Sequence, residues 1–167
     1  MIQITGAMPQ NTSARYALLR EQLAALVDGV ASPLSNMANM AALLYQGLPE
    51  LNWAGFYLCK GQTLLLGPFQ GKPACVSIPM GRGVCGTAAA SRQAQLVPDV
   101  HAFPGHIACD SASASELVIP LLRGNEVLGV LDLDSPVQGR FTPQDQLALT
   151  QMCALLLDAC DWEGGLL

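Results

Sequence analysis

A chain of 167 residues that is half hydrophobic and only 13% charged can bury a core of its own, but has little charge to spread over its surface. Its net charge is −5 and its eight Lys and Arg residues are scattered, which argues against nucleic acid, whose binding needs a basic stripe or patch. No apolar run approaches the roughly 18 residues of a membrane span, and Met1-Ile-Gln-Ile-Thr-Gly lacks the basic segment and apolar core of a signal peptide. The expectation is one cytoplasmic domain over residues 1–167, with no membrane segment, whose charge-poor surface is partly covered by self-association.

Residues 13–29 read as a helix, with Tyr16, Leu19, Leu23, Leu26 and Val27 at helical spacing and Asp28-Gly closing it. Ser32 followed by Pro33 opens a second helix to about Tyr45, whose stripe of Met37, Met40, Ala41 and Leu44 reads as core packing. Strands follow at 52–59 and 63–69, joined by Lys60-Gly-Gln as a hairpin. Trp53, Gly55 and Tyr57 share one face of the first strand, and Ala54, Phe56 and Leu58 the other. A third strand, 74–80, runs into Gly81-Arg-Gly and a short alanine-rich helix from Val84 to Arg92. Residues 98–115 read as a long loop with two His and two Pro, a length that is usually functional. Strands at 116–122 and 127–134 meet at Gly124-Asn125, and Thr142-Pro-Gln-Asp caps a last helix with the stripe Leu149, Met152, Cys153, Leu156 and Cys160. The order predicts an α+β domain built on a central antiparallel sheet flanked by helices.

Six cysteines in a cytosolic chain point to reduced, catalytic or metal-bound thiols rather than a disulfide framework. Cys59, Cys153 and Cys160 lie in apolar runs and read as packing. Cys75, Cys85 and Cys109 lie among glycines, prolines and histidines, where side chains reach ligands, and are candidates for a redox site. Gly81-Arg-Gly-Val-Cys-Gly has the spacing of a dinucleotide fingerprint, yet no parallel strand with an acidic residue follows it. Its physical content is a helix start whose free N–H groups favour a thiolate at Cys85. His101, His106 and Cys109, with Cys75 or Cys85, could supply four zinc ligands, but the spacings match no common finger or ribbon, so no metal is expected.

Asp132 and Asp134 are two apart on a strand and share a face, alongside Leu128 and Val130, with Glu116 at the start of the neighbouring strand. One such residue alone reads as a strand end reaching water. Three in apolar strands need a cation or hydrogen bonds to satisfy them, and point to a small cationic or zwitterionic ligand.

Six segments together resemble the free methionine-(R)-sulfoxide reductases: Leu51-Asn-Trp-Ala-Gly-Phe-Tyr-Leu, Leu66-Gly-Pro-Phe-Gln-Gly, Gly81-Arg-Gly-Val-Cys-Gly-Thr-Ala-Ala, 97–110, Glu116-Leu-Val-Ile-Pro-Leu and Gly129-Val-Leu-Asp-Leu-Asp-Ser-Pro. The resemblance runs from about residue 13 to the last helix. It implies a GAF-type homodimer that reduces free methionine-R-sulfoxide and serves under oxidative stress. It also implies no bound cofactor, the external reductant being thioredoxin with its reductase and NADPH. Carried onto this chain, the redox cysteines fall on Cys109 as nucleophile and Cys75 as principal resolving thiol, with Cys85 assisting. The acidic residues fall on Glu116, Asp132 and Asp134, and the pocket aromatics on Trp53 and Tyr57. Glu116 and Asp134 become the candidates for protonating the sulfoxide oxygen. The helix start favours Cys85 as the most acidic thiol, whereas the resemblance makes Cys109 the attacking one. The competing expectation is a non-catalytic GAF-type sensor, in which three loop thiols would be superfluous.

Overall fold

The computed structural model describes residues 8–107 and 110–163. Helix α1 (Thr12–Val27) starts where the Asn11 side chain accepts from the Ala14 N–H at 3.0 Å, and ends at Asp28 before Gly29, whose φ of 69° suits glycine. Helix α2 (Pro33–Gly47) has the predicted Ser32 cap and buries the predicted methionine stripe. Two long strands, β1 (Trp53–Lys60) and β2 (Thr63–Gly71), form the hairpin, turning at Gly61 with φ 60°. A bulge lies between Gly55 and Tyr57, where Gly67 and Pro68 of β2 face the single residue Phe56; proline has no N–H for the ladder, and a bulge is where a sheet tolerates it.

The third strand, β3 (Ser77–Pro79), is shorter than the sequence suggests, and α3 (Gly83–Ser91) follows it at once. The expected 98–115 loop is in turn flanked by a strand the sequence reading lacks. Strand β4 (Gln95–Val97) pairs with β5 (Ser115–Arg123) through Gln95–Val118, Leu96–Leu117 and Val97–Glu116. Three residues are too few to show an alternation. A 3-10 turn at Val100–Ala102 follows, capped by Asp99, whose side chain accepts from the His101 N–H at 2.9 Å. Strand β6 (Glu126–Ser135) and α4 (Pro143–Ala159) complete the chain. The α4 start is a full capping box of Thr142 and Asp145, and Asp145 also accepts a 2.7 Å hydrogen bond from Tyr16, fastening α4 to α1.

The strands form one antiparallel sheet in the order β3-β2-β1-β6-β5-β4. Its faces carry separate cores. Ala54, Phe56, Leu117, Ile119, Leu131 and Leu133 pack under α1, α2 and α4; Trp53, Tyr57, Val118 and Val130 pack under α3. Leu128 departs from the predicted face. A bulge at Leu121/Leu122 inserts one residue into β6, so Val127 joins Val130 on the α3 side while Leu128 packs into the opposite core. No helix among the described residues is long and apolar enough to cross a membrane.

Candidate active site under helix α3

Register places the acidic residues. Across the sheet, Trp53 faces Asp134 and Asp134 faces Glu116; one step along, Gly55 faces Asp132 and Asp132 faces Val118. The even spacing of Asp132 and Asp134 brings both to the α3 face, as predicted, and Glu116 to the same face from β5. Carboxylates directly opposite on neighbouring strands repel when both are ionised. These are also buried: Glu116 and Asp132 are each only 5% exposed.

Helix α3 closes the site from above. Gly86 lets it settle onto the end of β3, since a Cβ there would lie 2.4 Å from the Pro79 carbonyl oxygen. The Gly81 N–H donates to the Gly86 carbonyl at 2.8 Å, and the Gly86 N–H to the Arg82 carbonyl at 3.0 Å. This seat drives Cys85 inward, where its thiol donates to Glu116 Oε1 across 3.8 Å. The thiolate expected at Cys85 is not what this setting favours. Burial first, then the charges of Asp132 and Glu116, push its pKa well above the usual thiol value, outweighing the helix start.

The carboxyls move the same way. Burial raises Asp132 to about 7. Glu116 is raised well above its ordinary value by burial and then by the charges of Asp132 and Asp134, and Asp134 by burial and then by Asp132. At neutral pH the cluster therefore holds protons shared among neighbours. One atom stands apart: Asp132 Oδ1 is buried with no hydrogen-bond partner.

A pocket opens onto this cluster. Cys85, Glu116, Asp132 and Asp134 line it, with Arg82 and His106 among the residues around them. The recess is small, with a cavity volume of ≈ 30 Å³. His106 Nε2 lies 3.7 Å from Glu116 Oε2, and its pKa is lowered by burial and by His101, so at neutral pH the pair is a polar contact between uncharged groups. Arg82 has no role in the sequence reading, and His106 has one as a zinc ligand or, more ordinarily, as a loop cap or pocket cover. The basic residue between Gly81 and Gly83 was the available signal.

Trp53 and Tyr57 stand directly behind, in the same core as Cys85, and are not among the residues lining this pocket. The indole stacks on Tyr57 at 5.8 Å and on Phe69 at 5.3 Å, and its Nε1 donates to the Lys72 carbonyl at 3.1 Å. The Tyr57 hydroxyl donates to the Cys75 carbonyl at 3.1 Å. Together the two rings fix the segment that carries Cys75, which is disulfide-bonded; Cys59, Cys85, Cys153 and Cys160 are free thiols. Cys109, the expected nucleophile, lies outside the described residues. Asp110 beside it accepts from Asn52 at 3.2 Å and pairs with Lys72 at 3.3 Å, tying that end of the loop to the start of β1 and the end of β2. His101 is exposed at the 3-10 turn.

A sheet with three helices on one face and a small polar recess under a short helix on the other defines a class. The GAF domain family model matches residues 19–159. The free methionine-R-sulfoxide reductase of Escherichia coli strain K12 is 56% identical over 146 residues, 87% of this chain and 88% of that protein. Two solved structures share the fold along nearly their whole lengths. The fRMsr of Staphylococcus aureus, in complex with substrate, is 44% identical with TM-score 0.84, covering 93% of this chain and 99% of that one. The free methionine-R-sulfoxide reductase from Neisseria meningitidis, in complex with its substrate, is 37% identical with TM-score 0.88, covering 95% and 94%. The chain belongs to the free methionine-R-sulfoxide reductase family of GAF domains.

Proposed function

We propose that the protein reduces free methionine-R-sulfoxide to methionine by thiol chemistry in the pocket under α3. One observation carries this reading: a buried thiol and three proton-holding carboxyls converge on the same recess. The names of the relatives agree with it.

A Cys109 thiolate attacks the sulfoxide sulfur while the oxygen takes a proton from the acidic cluster. Methionine leaves and Cys109 retains the oxygen as a sulfenic acid. The Cys75 thiol then displaces water from it, forming the Cys75–Cys109 disulfide, and thioredoxin returns both to thiols while its own pair is oxidised. Glu116 and Asp134 are the proton donors, because their raised pKa values keep a proton available near pH 7. Asp132 receives the substrate ammonium at its unpartnered oxygen. Cys85 holds Glu116 in place and assists as a reserve thiol. Trp53 and Tyr57 support the wall against which the methyl-sulfinyl end packs.

The working protein is a cytoplasmic homodimer of single-domain chains, supported by the low charge and by exposed Leu34 and Leu147 on the helical layer. The test is steady-state turnover of free methionine-R-sulfoxide with thioredoxin, its reductase and NADPH. NADPH consumption that disappears in Cys109→Ser supports the reading; full activity in that variant removes the nucleophile assignment, and no turnover by the wild type removes the function.

A further inference from the structure

The floor of the pocket has the donors of a cation site. Cys85 Sγ and one oxygen each of Glu116 and Asp132 all lie within 4.8 Å of one another, and all three residues are buried. They come from three elements, α3, β5 and β6, packed against each other, so their separation is set by the fold rather than by one flexible loop. Sulfur and oxygen ligands of a tetrahedral zinc ion stand about 3.6 Å apart, from bond lengths of about 2.3 and 2.1 Å. The Cys85 Sγ to Glu116 Oε1 distance is 3.8 Å, so a small side-chain adjustment closes the site.

A second observation points to a ligand. Asp132, 5% exposed, keeps Oδ1 buried without a partner and lines the recess. Leaving such an atom unpaired is costly unless something occupies the space before it. The donor set selects the ion. A thiolate with two carboxylates suits a borderline cation such as Zn²⁺, whereas Mg²⁺ and Ca²⁺ prefer shells of oxygen only. His106 Nε2, 3.7 Å from Glu116 Oε2, supplies a nitrogen at the edge of the set.

We propose that the reduced protein binds one Zn²⁺-type cation through Cys85, Glu116 and Asp132, and that this cation and the sulfoxide substrate exclude one another. The exclusion rests on the function proposed above; the cation site does not. It differs from the zinc alternative in the sequence, a structural set of His101, His106 and Cys109 with Cys75 or Cys85, in placing Glu116 and Asp132 beside Cys85 as ligands. Here the fold holds the ligands in place whether or not metal is present, and the ion would act as a reversible inhibitor.

Cobalt(II) added to reduced, reductant-free protein reads the site directly through its thiolate-to-metal charge-transfer band. One equivalent should saturate the band, Zn²⁺ should displace it, and Cys85→Ser should abolish it. Cys59→Ser and Cys160→Ser should leave it intact. Asp132→Asn and Glu116→Gln should each weaken cobalt binding by more than about tenfold, the loss seen even for groups that only orient a ligand. Absence of a stoichiometric band, its survival in Cys85→Ser, or its loss in Cys59→Ser would overturn the site. In single turnover, Zn²⁺ should raise the sulfoxide concentration needed for half-maximal rate without lowering the maximum; a fall in the maximum alone would overturn the exclusion. A band without any sulfoxide turnover would instead remove the proposed function and leave the site standing.

Discussion

Glu116 and Asp134 face each other across two strands, and Asp132 lies one step along the same face. Three like charges cannot share that space without water, so protonation is the state in which the native sheet is stable. The sign follows for Asp132. Its folded pKa of about 7 lies above its ordinary value of 3.8, so the native state binds the proton more tightly than the unfolded chain. Its contribution to stability is complete below about 3.8 and is lost as pH rises through about 7. Urea unfolding should show the wild type weaker at pH 8 than at pH 5, with a smaller difference in Asp132→Asn; equal differences would contradict the shift. Asp145 works in the opposite direction. Although burial pulls its pKa up, hydrogen bonds from Thr142 and Tyr16 hold it below the usual value, so its stabilisation fades only in acid. In the reaction, Glu116→Gln should slow single-turnover reduction by about a hundredfold or more, the span expected of a lost general acid. The aspartate pair was legible because strand alternation is a local property. The state of Cys85 was not, because the burial and carboxylates that raise its pKa come from β5 and β6.

At the level of elements, α3 decides where Cys85 sits, and Gly86 decides where α3 sits. Alanine is the better helix former by about 0.5–1 kcal/mol. Its Cβ at position 86, however, would meet the Pro79 carbonyl at 2.4 Å, and backbone does not yield as a flexible side chain would. The clash should win, at about 1–3 kcal/mol. Gly86→Ala is expected to lose more turnover than Gly61→Ala, a change at an exposed turn, and comparable rates for the two would contradict the seat. At α4, Thr142→Ala should destabilise by about 1 kcal/mol in denaturant unfolding while leaving turnover nearly unchanged. The caps at Ser32 and Thr142 could be read directly, since each lies within three residues of the N–H it satisfies. Strand β4 and the displacement of Leu128 could not. The first depends on an edge that β5 offers, the second on a bulge that only the β5–β6 pairing reveals.

Over the whole molecule, the sheet divides labour between its faces. The α1, α2 and α4 side holds a continuous apolar core, in which the Asp145 carboxylate is fully engaged with Tyr16, Arg140 and Thr142. The α3 side mixes apolar residues with carboxyls and a thiol, and so bears the electrostatic strain of closely packed ionisable groups. The α+β class and the antiparallel sheet followed from element order. The convergence of residues 116, 132 and 134 followed from register, and Cys85 joined them through the seat of α3 on β3, which no single stretch of chain contains. If the helical layer is the dimer face, Leu147, 62% exposed, should matter to assembly. Light scattering should give twice the chain mass for the wild type and a shift towards monomer for Leu147→Glu; monomeric wild type would contradict the homodimer.

What the thiols do to a free sulfoxide is measured most directly with every external reductant omitted. Fully reduced protein mixed with free methionine-R-sulfoxide should release one methionine per chain and lose two thiols, and Cys109→Ser should release none. The S epimer and peptide-bound sulfoxide should give far less. No methionine from the R epimer, or equal yields from all three substrates, would contradict the account.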